Sequence, residues 1–320
     1  MLSVPYSRYV IYPIPWYSFL IVIGASAAIF LASREAVRKG LSSDVIVDLA
    51  LWILPAGIIG ARLYYVIFSW HQFRNDLVSI LRIWEGGLAI YGGIIAGFIA
   101  LLFFARKKSV SPLILCDILV PGLALAQSIG RWGNYFNIEA YGPAVSNESL
   151  CFFPLAVQVP ADHNTWHLAT FFYESFWDLS VFILLMCFRK RFLRKKGDVF
   201  FSYLLLYGSG RLVIEELRTD SLYAASGVRV SQLISLILCL SVMIYYFFVT
   251  NKFRAYPSWI RMILLPFTVL LNIAGMAYAV FGNVFHFISA LSVMLFLLLI
   301  AVFNIAAFLS LKIIVHIPEE

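Results

Sequence analysis

The chain has 320 residues, 62% of them hydrophobic and only 13% charged, with a formal net charge of +7. Soluble domains are about half apolar and carry about 25% charged residues, so this composition excludes an ordinary soluble protein. The excess cations lie between apolar runs and not on one polar domain, which excludes a nucleic-acid-binding module.

Apolar runs close to the length needed to cross a bilayer recur along the chain. A β-barrel would show short alternating segments instead. The expected fold class is therefore all-α, a polytopic integral membrane protein. Its spans are predicted over 15–33, 46–69, 87–105, 112–130, 170–188, 199–217, 230–250, 259–281 and 285–312, nine helices in all. The first run is followed by its cations, with only Arg8 ahead of it, so it reads as a retained helix and not as a signal peptide. Pro55 is expected to kink the second span. The third span contains Gly93 and Gly97 four residues apart, a helix-packing spacing. Cations cluster at Arg34 to Lys39, Arg106 to Lys108, Arg189 to Lys196 and Lys252 to Arg261. The positive-inside rule puts those four connections in the cytoplasm, the N-terminus outside and the C-terminus inside. The longest external segment is then 131–169, a loop region rich in proline and asparagine. Cys116, Cys187 and Cys239 fall in or beside spans and Cys151 is alone outside, so no disulfide and no metal site is expected.

Helix rise locates the polar groups in depth. At about 1.5 Å per residue in a core about 30 Å thick, Arg62 lies about 24 Å above the inner face, Arg131 about 28 Å, Arg211 about 18 Å and Glu215 about 24 Å. Tyr91 lies about 6 Å below the outer face, and Tyr17 is near the outer end of the first span. On the sixth span Tyr207, Arg211, Glu215 and Arg218 are spaced to share one face of an otherwise oily helix. Ionisable groups inside a membrane cost at least about 2.5–3.5 kcal/mol on insertion scales and mark function. Isolated helix staples would scatter over depth, and Asp48 and Asp117 read as such staples at the inner boundary. Asp178 has no partner legible in the sequence.

Arginines gathered at the outer leaflet suit an anion, because the guanidinium fork grips phosphate bidentately and stays charged. At that depth the phosphate belongs to a phospholipid headgroup. Asparagine amides and tyrosine hydroxyls suit its glycerol hydroxyls and ester carbonyls.

The stretches GARLYYVIF (60–68), WEGGLAIYGGIIAG (84–97), GRWGNYFNIEAYG (130–142), FYES (172–175) and YGSGRLVIEELRTD (207–220) resemble those of the bacterial prolipoprotein diacylglyceryl transferase family, in that family's order. The resemblance covers about 15–250 and implies an enzyme of the bacterial cytoplasmic membrane. Such an enzyme moves the diacylglyceryl group of phosphatidylglycerol onto the lipobox cysteine of a preprolipoprotein, without cofactor or metal, in a site facing the outer leaflet. Carried over to this sequence, it implies that Arg131 and Arg211 hold the phosphate and leaving group. Asn134, Asn137, Glu139 and Gly142 complete the signature, and Tyr17, Arg62, Tyr207, Glu215 and Arg218 surround the substrate. Glu139, Glu215 and Tyr91 are the candidates for taking the thiol proton.

Departures from the pattern qualify the expectation. Tyr91 stands where many members have histidine, and tyrosine, titrating near 10, is a poor base at neutral pH. His167 reads as a loop residue. The expected organisation is a seven-helix transferase-like domain over 1–255 and an additional transmembrane hairpin over 256–320. The competing readings are an inactive or altered-specificity phospholipid-binding paralogue acting as a partner or chaperone, and a transporter. One-leaflet clustering and the lack of an internal repeat argue against a transporter.

Overall fold

The computed structural model describes residues 7–159, 162, 165–190, 195–221, 229–245, 274, 299–302 and 305. A short hairpin, β1 (Tyr9–Ile11) and β2 (Ile14–Pro15), leads directly into α1 (Trp16–Arg38). Then come α2 (Asp44–Phe68), one turn of helix α3 (Trp70–Phe73), two 3-10 turns (Leu77–Leu81 and Ile83–Glu85), α4 (Ile90–Lys107) and α5 (Pro112–Asn137). An antiparallel hairpin of β3 (Ala156–Val159) and β4 (Thr165–Leu168) precedes α6 (Thr170–Phe188). The chain continues through α7 (Asp198–Ile214), a 3-10 turn (Glu215–Leu217) and α8 (Val230–Ile244). Among the described residues α1, α2, α4, α5 and α6 are long and apolar enough to cross a membrane, so the protein is a polytopic membrane protein. The last two expected spans, 259–281 and 285–312, lie almost wholly outside the described residues.

Two compact units divide the chain: Met1–Ala27 with Leu123–Glu320, and Ala28–Gly122. In the second unit α2 and α4 pack at backbone distance. A Cβ on Gly92 would sit 2.3 Å from the Gly60 carbonyl oxygen, and one on Gly60 would sit 2.6 Å from that of Gly92. The contact therefore runs through Gly60 and Gly92, with Gly93 beside Gly57; the Gly93–Gly97 spacing lies one residue off the closest approach. Helix α4 starts at Ile90 and not at 87, because Gly86 and Gly87 adopt φ of 93° and 69°, left-handed values that stop a helix from forming there. The expected staples at Asp48 and Asp117 form: Lys108 pairs with Asp48 at 2.8 Å and Lys39 with the buried Asp117 at 3.7 Å.

In the first unit α5 outruns its expected end at 130 and carries the signature on its last turns, through Asn137. The 131–169 segment is more ordered than its turn-rich composition implies. Aromatic side chains of the signature, Trp132 and Tyr135, pack with Val157, Val159 and Phe171 into a small core beneath the β3–β4 hairpin. Helices α5 and α6 are joined by reciprocal hydrogen bonds: Ser128 donates to the Ser175 carbonyl and Ser175 to the Ser128 carbonyl, each at 2.8 Å. Tyr203 on α7 donates to Gln127 on α5 at 2.9 Å. These ties fix the three helices that bear the polar cluster.

Candidate active site

The centre of the cluster is a carboxylate to which the sequence reading assigned no role. Glu174, on the second turn of α6, is 4% exposed. Its Oε2 lies 2.7 Å from Nε of Arg131 on α5, and its Oε1 meets Nη1 of Arg211 on α7. The same Oε1 accepts from Nη1 of Arg218 at 3.3 Å. Three guanidinium groups, Arg131 and the Arg211 and Arg218 of a distant stretch, therefore converge on one buried anion. Arg131, Glu174, Asp178, Tyr207 and Arg211 line a common cavity of about 10 Å³, room for about one water. Trp177 closes one side, its indole donating to the Leu206 carbonyl at 3.0 Å. Glycine at 210 makes that possible, since a Cβ there would fall 2.0 Å from Trp177 Nε1.

The stripe predicted on the sixth span is largely realised. Arg211 Nη2 pairs with Glu215 Oε2 at 2.5 Å, one turn away, and Glu215 is 1% exposed. Arg218 departs from the prediction. The α-helix ends at Ile214, the 3-10 turn follows, and Arg218 is extended with φ −91° and ψ 140°. It reaches Glu174 from beyond the helix end, not along its face. Asp220 holds it there, accepting from Nε at 2.9 Å and Nη2 at 2.8 Å. Burial pushes the Asp220 carboxyl up, but the bonds and charge of Arg218 outweigh it and leave it below the usual aspartate range. Arg229 caps the end of the sixth span, donating to the Glu215 carbonyl at 2.9 Å and pairing with Glu216 at 2.7 Å.

A second polar group forms where α5 ends. Asn134 and Asn137 both donate to Glu139 Oε1, at 3.0 and 3.2 Å, and Arg8 donates to Asn137 Oδ1 at 3.2 Å. The turn holding Glu139 is strained: Ile138 and Ala140 have φ of 58° and 56°, costly for residues with a Cβ and for a β-branched one above all. Tyr17 packs its ring on Gly133, where a Cβ would lie 2.5 Å from Cδ2, within electrostatic reach of Glu139 and Arg131. Gly133 therefore admits an aromatic ring. Gly142 is a packing residue, since a Cβ there would meet the Leu217 carbonyl oxygen at 2.7 Å. His167 braces the same segment, bonding the Gly142 carbonyl and Asp162, each at 2.8 Å; it lies on strand β4, paired with Val157 and buried, and not in the loop that the sequence suggests.

Arg62 and Tyr91 belong to the other unit. Tyr91 sits half-buried in the first turn of α4. Arg62 corrects an expectation. Its Nε donates to the Ile80 carbonyl at 2.9 Å, Nη1 to Gly86 at 2.7 Å and Gly87 at 3.1 Å, and Nη2 to Ser79 at 2.6 Å and Arg82 at 3.4 Å. A guanidinium has five N–H groups, and each has a carbonyl of the α3–α4 connection, so none is left to grip a phosphate.

Comparison with known proteins decides the family. The model of the prolipoprotein diacylglyceryl transferase family matches residues 7–248. The chain belongs to that family. It is 47% identical over 237 residues to the phosphatidylglycerol–prolipoprotein diacylglyceryl transferase of Enterococcus faecalis, covering 72% of this chain and 85% of that protein. Transferases of the same name from Streptococcus pyogenes serotype M3 and Streptococcus agalactiae serotype Ia are each 45% identical, over 236 and 238 residues. Those alignments cover 72% and 73% of this chain and 89% and 92% of the relatives.

Glu174, Asp178, Asp220 and Arg8 are among the polar site residues that sequence reasoning missed. For the first two a signal existed, since two carboxylates four residues apart within an apolar span are unusual in themselves. Arg8 lies in the N-terminal hairpin, and nothing in its local pattern points to Asn137.

Proposed function

We propose that this protein transfers the diacylglyceryl group of phosphatidylglycerol to the lipobox cysteine of preprolipoproteins, the first step of bacterial lipoprotein maturation. The observation that carries the reading is the convergence of Arg131, Arg211 and Arg218 inside a membrane protein of this family. The cysteine sulfur attacks the glycerol carbon that bears the phosphate and a C–S bond forms. The C–O bond to phosphate breaks, and its electron pair leaves on the phosphate oxygen. The products are the thioether-linked precursor, glycerol phosphate and one proton, removed from the thiol.

Each part of the site has a task in that scheme. Arg131 and Arg211, with Arg218 beside them, stabilise the charge growing on the departing phosphate, which preorganised guanidiniums in a dry site do well. The thiol, with an ordinary pKa near 8.5, must shed its proton to attack. Glu215 is committed to Arg211, and a tyrosine, ordinarily titrating near 10, is a poor choice of base at neutral pH. Glu139 is exposed, and among the described residues its carboxylate takes only amide donors, so it suits the base role best. Asn134, Asn137, Tyr17 and Tyr207 orient the headgroup and esters. The site opens toward the outer leaflet of the cytoplasmic membrane, with nine spans, the N-terminus outside and the C-terminus inside.

The test is direct. Purified protein is incubated with phosphatidylglycerol and a lipobox-cysteine peptide, and the diacylglyceryl adduct is sought by mass. The expected result is an adduct from wild type and none from folded Arg131→Ala or Arg211→Ala. Folded wild-type protein that yields none, where an established transferase does, returns the protein to the class of inactive lipid-binding paralogues.

A further inference from the structure

The arginine fork is already filled. Among the described residues Glu174 touches all three guanidiniums, while Glu215 pairs with Arg211 and Asp220 with Arg218. Three cations thus face three paired carboxylates, with Asp178 beside them in the cavity lining, and the cavity at Arg131, Glu174 and Arg211 is about 10 Å³, room for about one water and not for a phosphate group. A phosphodiester reaches these arginines only by taking the place of an anion. Of the three paired carboxylates, Glu215 is fixed one turn beyond its partner, at the start of the 3-10 turn that follows α7, and Asp220 faces outward with 45% of its side chain exposed. Glu174 alone stands where all three forks point.

We propose that Glu174 is an internal competitor for the phosphate. It is a positioning residue: its carboxylate holds the three guanidiniums between turnovers, yields them to the lipid phosphate, and reclaims them as the product leaves. The idea rests on the function proposed above, and it addresses a difficulty in that function. Glycerol phosphate departs with more negative charge than the diester had on arrival. Three preorganised arginines would therefore hold product more tightly than substrate, and release would limit turnover. A carboxylate a rotamer away offsets that preference, because it repairs the ion pairs that product departure would otherwise leave broken.

A purely structural role for Glu174, neutralising buried arginines, predicts the opposite response to its removal. Without their anchor the guanidiniums would drift, and phosphate would bind more weakly. The experiment uses the full-length protein in micelles with phosphatidylglycerol and lipobox peptide. Glycerol phosphate is added as inhibitor, and its direct binding is read from its shift of the thermal midpoint. In Glu174→Gln the inhibition constant for glycerol phosphate is expected to fall about tenfold or more, the scale of one charge-assisted contact removed from competition. The first turnover should persist while later turnovers slow, so kcat falls without a rise in KM. A folded Glu174→Gln with unchanged or weaker product inhibition overturns the proposal. If that variant does not fold, Glu174→Asp decides: it keeps the charge but falls one methylene short, so tighter product binding supports the competitor and unchanged binding overturns it. Wild type that forms no adduct removes the function itself, and the competitor with it.

Discussion

Replacing Arg62 with alanine separates two roles for a buried arginine. If its five carbonyl contacts are its purpose, the loss falls on the segment between α3 and α4. Hydrogen bonds from a charged donor contribute about 1.5–3 kcal/mol each. Four of the five are 3.1 Å or shorter, which gives about 6 kcal/mol at the lower end of that range. Carbonyls in a surface connection regain water when the side chain goes, so about half, about 3 kcal/mol, is the expected net loss. That raises the opening constant of the connection by about a hundredfold. Trypsin reads this opening at Arg74 and Arg82, because native-state cleavage tracks the open population when reclosing is fast. The expected result is cleavage about a hundredfold faster in Arg62→Ala, with Arg62→Lys, which keeps three donors, in between. Cleavage at the wild-type rate, together with a raised KM for phosphatidylglycerol, would refute the reasoning and return Arg62 to the substrate.

Gly92→Leu should force α2 and α4 apart, since even a Cβ lies 2.3 Å from the Gly60 carbonyl oxygen; a drop in thermal midpoint worth about 1–3 kcal/mol or more is expected. Gly130→Ala should do the reverse, because nothing lies within 4 Å of the added carbon and a mid-helix glycine costs about 0.5–1 kcal/mol relative to alanine. Asp220 gives a pH signature. Its carboxyl is held below the usual range by Arg218, so its contribution is fully present above the unfolded value near 3.9 and is lost as pH falls through the lower folded value. Midpoints of wild type and Asp220→Asn should stay a constant distance apart from pH 7 to about 5 and converge only below about 4; convergence that begins at pH 6 would contradict this assignment.

The membrane class was legible in the sequence because span-length apolar runs have few other uses. The i, i+4 pairing of Arg211 with Glu215 was legible because helix geometry alone brings such residues together. The staples at Asp48 and Asp117 were legible for a related reason: both lie at span ends beside the basic clusters. What sequence could not give was the direction in which each charge points. Arg62 and Arg131 look alike as arginines near the outer ends of apolar helices, yet one is consumed by loop carbonyls and the other meets Glu174. That difference depends on contacts between residues far apart in the chain. Arg62 finds its acceptors because Gly86 and Gly87 turn the backbone with positive φ. Glu174 finds three partners because α5, α6 and α7 are tied at Ser128, Ser175, Gln127 and Tyr203. Local sequence sets which residues a helix can offer on one face. Only the packing of helices decides which charges share a desolvated space, where a bare ion is so costly that partner choice fixes the site.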